Sequence, residues 1–445
     1  MSQPHNHPGQ RPSSARYIVL AFLCSLAFVL YLDRICISQA ATSIMKDLHL
    51  TKTQFGYVAA AFTLAYALFE VPIGWWGDKY GSRGVLARIV IGWSIFTALT
   101  GAAFGFVSLV AIRFLFGAGE AGAFPNTARI LSRWFPTQRR GMAQGLVNSV
   151  SQIGGAFAPW LTSELMQAIG WRWTFLVFSI PGIVWAAAFY WWYRDDPQTH
   201  PATNEAERRL IAAGTSSNHG MAHPPIPWGI VLRSPQIWIM GVVLMCTAFN
   251  SYFYFTWYPT YLKEGRGVSE SEAGRLASIV LTGGAIGCIC GGFLIDYLAR
   301  VTGNRHLSRR LYSSTVLVLG AICLISGRHS DSPFWASVWT SGSVMFALST
   351  LAAWWGAVTD LSGRHIGALF GLMNSIGGLG AISSQLFAGR YADWMKTLGH
   401  EGRAQWDPIF YVYGGVLVLG ACGWLFIDSS KSVDRESHEH EAPAN

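Results

Sequence analysis

The sequence predicts an all-α membrane protein with twelve transmembrane helices in two parallel-related six-helix bundles. Three observations predict it. The 445 residues are 51% hydrophobic and only 13% charged, where a soluble domain carries roughly 25% charged residues. Apolar blocks of about 20 residues recur from Tyr17 to Ile427, each long enough to cross a hydrocarbon core about 30 Å thick. The two halves also echo each other. Gly145-Leu146-Val147-Asn148-Ser149 returns as Gly371-Leu372-Met373-Asn374-Ser375, and Gly74-Trp75-Trp76-Gly77-Asp78 has a weaker echo in Gly292-Phe293-Leu294-Ile295-Asp296. Blocks this continuously apolar exclude the alternating pattern of a membrane β-barrel, and only helices or closed barrels satisfy the backbone in lipid.

In chain order the expected spans are 17–43, 53–76, 84–106, 108–130, 139–168 and 173–193, then 235–263, 273–299, 309–327, 334–358, 364–390 and 407–428. Residues 1–16 form an N-terminal tail, 17–193 the first bundle, 194–234 a linker, 235–428 the second bundle and 429–445 a C-terminal tail. The linker holds Pro197, Pro201, Pro224, Pro225 and Pro227 and the run Glu205-Ala206-Glu207-Arg208-Arg209, which allows one short surface helix. The C-terminal tail is charged and expected to be disordered. The tail histidines His5, His7, His438 and His440 are not expected to hold metal.

The net charge of +8 would prompt a nucleic-acid partner in a soluble protein, but the placement of the basic residues decides against it. Of the 32 Lys and Arg, 18 fall in the tails and even-numbered loops, about 10 in the odd-numbered loops and about four within spans. That bias places both termini in the cytoplasm of an inner-membrane protein. No removable signal peptide is expected. The seven cysteines all lie in apolar blocks and show no metal-ligand spacing, so they read as packing residues without disulfide or cofactor roles.

The loop after the second span reads Gly74-Trp75-Trp76-Gly77-Asp78-Lys79-Tyr80-Gly81-Ser82-Arg83. It resembles the cytoplasmic signature of the major facilitator superfamily, G-x-x-x-D-(K/R)-x-G-x-(K/R). Asp78 and Arg83 then read as a latch: the Asp caps the next helix or pairs across the halves. Asp296 holds the equivalent place in the second half.

Two spans carry ionisable groups at midplane depth, where each is costly and needs a cavity or a partner. Arg113 and Glu120 are seven apart and share one face of the fourth span, about 10 Å apart. Glu120 lies about 18 Å from the outer end, and Arg34 in the first span about 14 Å. Asp33 points about 100° away from Arg34 and need not neutralise it. Two acids beside a permanent guanidinium make an anion site with proton-exchangeable groups.

The run Arg113 to Asn126, Ser132 to Pro136, Arg139 to Gly145, Tyr31-Leu32-Asp33-Arg34 and Gly363-Arg364-His365 together resemble the anion:cation symporter family within that superfamily. Its members include sugar-acid, hexuronate and phthalate transporters, sialin and the vesicular glutamate transporters. The resemblance implies that Arg34 binds a substrate carboxylate and that Asp33 and Glu120 couple protons. It further implies that Tyr66, Trp355 and Asn374 line the pocket and that Arg113 belongs to it. Asn148 and Gln152 share a face of the fifth span and could bind substrate hydroxyls or another helix. Tyr254 and Tyr258 are candidates for an outer gate. Glu70, one turn from Tyr66, departs from many relatives; a structural pair with Arg88 is favoured over a third proton carrier.

The function expected is proton-coupled symport of a small organic anion by alternating access, in a monomer without cofactors. A sugar acid such as an aldonate, aldarate or hexuronate is favoured as substrate. Sodium-coupled or exchange transport of an aromatic or dicarboxylic acid is the alternative, and a non-transporting membrane sensor ranks below it. No catalytic set or phosphate loop points to an enzyme.

Overall fold

The computed structural model describes residues 11–213, 228–362 and 366–428. Among the described residues every regular element is helical. Helix α1 (Ala15–Asp47) follows Ser14, and α2 (Lys52–Tyr80) opens on a reciprocal cap. There the Thr51 hydroxyl accepts from the Gln54 backbone N–H at 3.1 Å while the Gln54 side chain accepts from the Thr51 N–H at 2.9 Å. Helix α3 (Ser82–Gly101) starts after Gly81, whose φ of 85° suits glycine alone. Helix α4 (Phe106–Trp134) is interrupted between Glu120 and Ala123. A continuous helical run, Thr137–Trp192, breaks only at Gly170 (φ 75°), which separates α5 (137–169) from α6 (171–192).

The second half repeats the plan with α7 (Pro235–Thr256), α8 (Glu270–Thr302), α9 (Arg305–His329), α10 (Pro333–Ser362), α11 (Ile366–Thr397) and α12 (Ile409–Leu425). Several helices overrun the apolar blocks, because a formed helix extends one residue at a time into polar surroundings. The seventh span is shorter than expected. Helix α7 stops at Thr256 instead of running to 263, and Pro259 leaves a short turn and one π turn, Tyr261–Gly265.

Packing repeats as the sequence does. In the first half α1 packs on α5, α2 on α4 and α3 on α6; in the second, α7 packs on α11, α8 on α10 and α9 on α12. The halves meet where α2 lies against α11 and α5 against α8. Trp93, Phe116 and Trp134 are buried in the first half, and Trp406, Tyr413 and Trp424 in the second. Large apolar side chains such as Val71, Trp191 and Phe293 stay exposed, as a lipid-facing surface requires. Cys36 and Cys246 are buried, but Cys290 and Cys422 are exposed. The packing role expected for all seven therefore fails at those two.

The end of the bundle away from the termini is closed by contacts between the halves. Lys263 Nζ donates to the Gln39 carbonyl at 2.6 Å, and Gln39 Nε2 donates to Glu270 at 2.7 Å. Lys52 pairs with Glu264 at 3.1 Å, and the Asp393 carboxylate accepts from the Thr53 N–H at 2.7 Å. Gly389 packs so closely on the Lys52 carbonyl that a Cβ would stand 2.5 Å from its oxygen.

On the terminal side the expected linker helix is present as Glu205–Ala213. Glu207 accepts from Arg16 Nη1 at 3.1 Å and from the Ser13 hydroxyl. His200 sits between Trp134 and Trp192, ring centres 5.3 and 4.5 Å away, with Nε2 3.0 Å from the Trp192 carbonyl. Burial there lowers its pKa below the ordinary 6.5.

Candidate functional site

Helix α1 turns Arg34 toward the interior, and the break in α4 follows directly after Glu120. Arg34 Nε donates to Glu120 Oε1 at 2.8 Å, and Nη2 bonds the same oxygen. The guanidinium also stands over three rings, with Cζ 4.9 Å from the centre of Tyr66 and 5.2 Å from those of Tyr31 and Phe62. Helices α2 and α4 come close enough for this because Gly117 leaves its face open to the Phe62 carbonyl.

Glu120 and Asp33 are each 1% exposed. Among the described residues Glu120 Oε2 and both Asp33 oxygens lack a hydrogen bond of good geometry, although the Trp93 indole, Glu120 and Arg113 neighbour Asp33. Arg113 is 2% exposed, its Nε is unpartnered, and its Cζ lies 5.0 and 4.3 Å from the centres of Phe62 and Phe116. These four groups cluster, Asp33, Arg34 and Glu120 at comparable depths and Arg113 on the same face of α4 as Glu120. Two buried acids stand beside two cations.

A cavity of about 140 Å³ adjoins the cluster. Tyr31, Arg34, Phe62 and Arg113 line it from the first half, and Tyr252, Phe255, Thr256 and Gln385 from the second. Gln385 closes it toward the sealed end. Its Oε1 accepts from Thr63 at 3.1 Å and its backbone carbonyl accepts from the Trp257 indole at 3.1 Å. A single glutamine in the otherwise small and apolar run Gly380 to Phe387 was a usable signal for this residue. Thr256 and Tyr252 were hidden in the aromatic run of α7.

Several expected residues stand elsewhere. Tyr254 and Tyr258 do not line the cavity: they are buried inside the second half, with hydroxyls 3.5 and 3.0 Å from Ser343 and Ser337. Their i, i+4 spacing gives them one face, and that face meets α10. Trp355 stacks on Phe370 at 4.4 Å and is 47% exposed. Asn148 is exposed and accepts from Gln144 at 3.1 Å, while Gln152 is half-buried. None of these lines the cavity, and neither does Tyr66, whose ring packs against the Arg34 guanidinium instead.

Asn374 also lies outside the cavity lining. It is 11 residues before Gln385 on α11, about 16 Å along the axis, and donates to Glu70 at 2.9 Å. That bond corrects the expected Glu70–Arg88 pair, since Arg88 is exposed on α3 and Glu70 turns toward α11.

The expected latch is also arranged differently. Asp78 pairs with Arg129 at 3.0 Å, within the first half. The cap of α3 is Asp195, which accepts from the Ser82 N–H at 2.7 Å, and Arg83 donates to the Tyr190 carbonyl at 2.9 Å. Asp296 is exposed with no partner among the described residues. Arg309 and Asp360 supply an ion pair in the second half at 2.5 Å. The segment Gly363 to His365 lies outside the described residues.

The sequence profile of the Major Facilitator Superfamily matches residues 23–385. The chain is 30% identical to a probable sulfoacetate transporter of Cupriavidus necator, over 94% of this chain and 95% of that protein. It is 31% identical to a probable galactarate/D-glucarate transporter of Escherichia coli, over 85% and 88% of the two. Its fold superposes on a bacterial homologue of the human lysosomal transporter Spinster, solved in an inward-facing, unoccupied conformation. The TM-score is 0.77 at 19% identity, covering 98% of this chain and all of the other. That likeness speaks to the fold alone.

Proposed function

The chain belongs to the major facilitator superfamily, and from that premise we propose that it is a proton-coupled symporter of small organic acid anions. It is a multi-pass membrane transporter and not an enzyme. The observation that carries the coupling is the Arg34–Glu120 bond. An ionised Glu120 occupies the fork that a substrate carboxylate needs. Protonation turns Glu120 into a neutral acid and frees the guanidinium, so proton and substrate load together. The two halves then rock around a site whose net charge has been reduced. Asp33, 1% exposed and without an ion pair among the described residues, is the second proton site.

With both termini cytoplasmic, as the basic residues imply, the closed end is the outer one, and the Asn374–Glu70 bond spans the halves on the inner side. The substrate class includes sugar acids, for which Tyr31 and Gln385, lining the same cavity as the arginine, offer hydroxyl partners. Residues 17–193 and 235–428 are the two moving bodies, and the chain works as a monomer.

The test is a thermal-shift screen of the purified chain against sugar acids, short dicarboxylates, sulfoacetate and aromatic acids, repeated on Arg34→Ala. A stabilising acid whose effect vanishes in the variant supports the site. Stabilisation that survives places the pocket elsewhere. Uptake into liposomes driven by a proton gradient, with a sodium gradient as the comparison, then tests the coupling ion.

A further inference from the structure

We propose that the substrate is a dianion, a short organic acid with two oxyanion groups, one held by Arg34 and the other by Arg113. The inference deepens the reading of the cavity as an organic-anion site and rests on it.

Arg113 carries the argument. It lines the cavity, is 2% exposed, and makes no ion pair among the described residues. A guanidinium stays charged at any physiological pH, so burial cannot be relieved by losing the proton. The faces of Phe62 and Phe116 at 5.0 and 4.3 Å help, but a cation–π contact is weaker than the cost of burying an unpaired ion.

Asp33 and Glu120 are the carboxylates that neighbour it, and neither bonds it. Glu120 Oε1 is already taken by Arg34, and among the described residues Asp33 makes no bond to Arg113. Glu70, the remaining acid near this region, is bonded to Asn374. When both buried acids carry protons, two fixed positive charges remain beside the cavity. A dianion balances both; a monoanion leaves one unpaired.

Geometry sets the length. The Cζ atoms of Arg34 and Arg113 lie 5.2 and 5.0 Å from the centre of the same Phe62 ring, so about 10 Å is the most that can separate them. A short molecule can span the two forks. The rest of the wall is aromatic and aliphatic, and its only polar groups besides the arginines are the Tyr31 and Tyr252 hydroxyls, Thr256 and Gln385. Recognition therefore falls on the charged ends more than on hydroxyls along the chain. Among sugar acids this selects an aldarate over an aldonate or a hexuronate.

The experiment measures affinities of the full-length chain in detergent for acids paired to differ at one acid group: glucarate with gluconate, succinate with butyrate, and sulfoacetate with acetate. In the native chain at least one diacid should bind at least tenfold tighter than its monoacid partner. In Arg113→Gln that ratio should fall to near one, through loss of diacid affinity with monoacid affinity unchanged. Arg113→Lys should recover part of the preference, since it keeps the charge without the fork. The unliganded melting curve of each variant reports folding. If the glutamine variant does not melt cooperatively, the lysine variant carries the test through the same split between diacid and monoacid. A diacid preference that persists without Arg113, or a native chain that prefers the monoacids, overturns the inference. Failure of every acid to bind the native chain instead overturns the anion-site reading beneath it.

Discussion

Asn374 on α11 donates a 2.9 Å hydrogen bond to Glu70 on α2, joining the two halves on the terminal side of the cavity. The opposite end is held by several such contacts, from Gln39, Lys52, Lys263, Glu270 and Asp393. A hydrogen bond to a charged group contributes about 1.5–3 kcal/mol, so this one bond can bias how readily the terminal side opens.

Glu70→Ala should therefore loosen the terminal side. A cysteine placed at Ala59, which lines the cavity, should label several-fold faster from that side. Glu70→Gln keeps an acceptor and should transport with an unchanged ratio of protons to substrate. A ratio lowered by one proton in Glu70→Gln would make Glu70 a carrier.

Glu120→Gln should abolish accumulation driven by a proton gradient while exchange of substrate across the membrane continues. Glu120→Ala should also destabilise the protein by about 3 kcal/mol, because Arg34 is left buried without its partner. Counterflow assays and melting temperatures check the two effects. Persistent proton-driven accumulation in Glu120→Gln would remove Glu120 from the coupling scheme.

Asp393 accepts from the first two backbone N–H groups of α2, at 3.3 and 2.7 Å. Removing such a cap costs about 1 kcal/mol, which is about fivefold in a two-state population. Asp393→Ala should shift the protein toward opening at its sealed end, with the Ala59→Cys reporter labelled about fivefold faster from that side. Unchanged labelling would mean that the cap does not hold the closure.

His200 gives the linker a pH dependence. Burial lowers its pKa from 6.5, so the docked linker favours the neutral ring. The stability this contributes is full above about pH 6.5 and is lost as pH falls through the lowered value of the folded state. Backbone amides of residues 197–203 should exchange faster at pH 5 than at pH 7.5, after correction for intrinsic rates. His200→Gln should flatten that difference. Protection that does not change with pH in the native chain would show that the ring is not part of the clasp.

Much of the site was legible before the fold. A charge inside an apolar span is conspicuous, and the depths of Asp33, Arg34 and Glu120 are comparable, with Arg113 about two turns from Glu120 on the same helix face. Helical spacing cannot say which face of a span meets which neighbour. For that reason the sequence pairs Glu70 with Arg88 whereas it bonds Asn374, and it offers Tyr254 and Tyr258 for a gate whereas they face the serines of α10. Tyr252 and Thr256, on other faces of the same helix, line the cavity instead.

Hydropathy, charge bias and internal repetition were enough to set twelve spans, two like halves and a buried ionic cluster, because each depends only on what lipid excludes along a single helix. The break after Glu120, the stop at Thr256, the seal made by Gln385 and the choice of ion partners depend on rotations and close approaches between helices distant in the chain. Those are settled by packing, where a glycine face at Gly117 or Gly389 decides which backbones can touch.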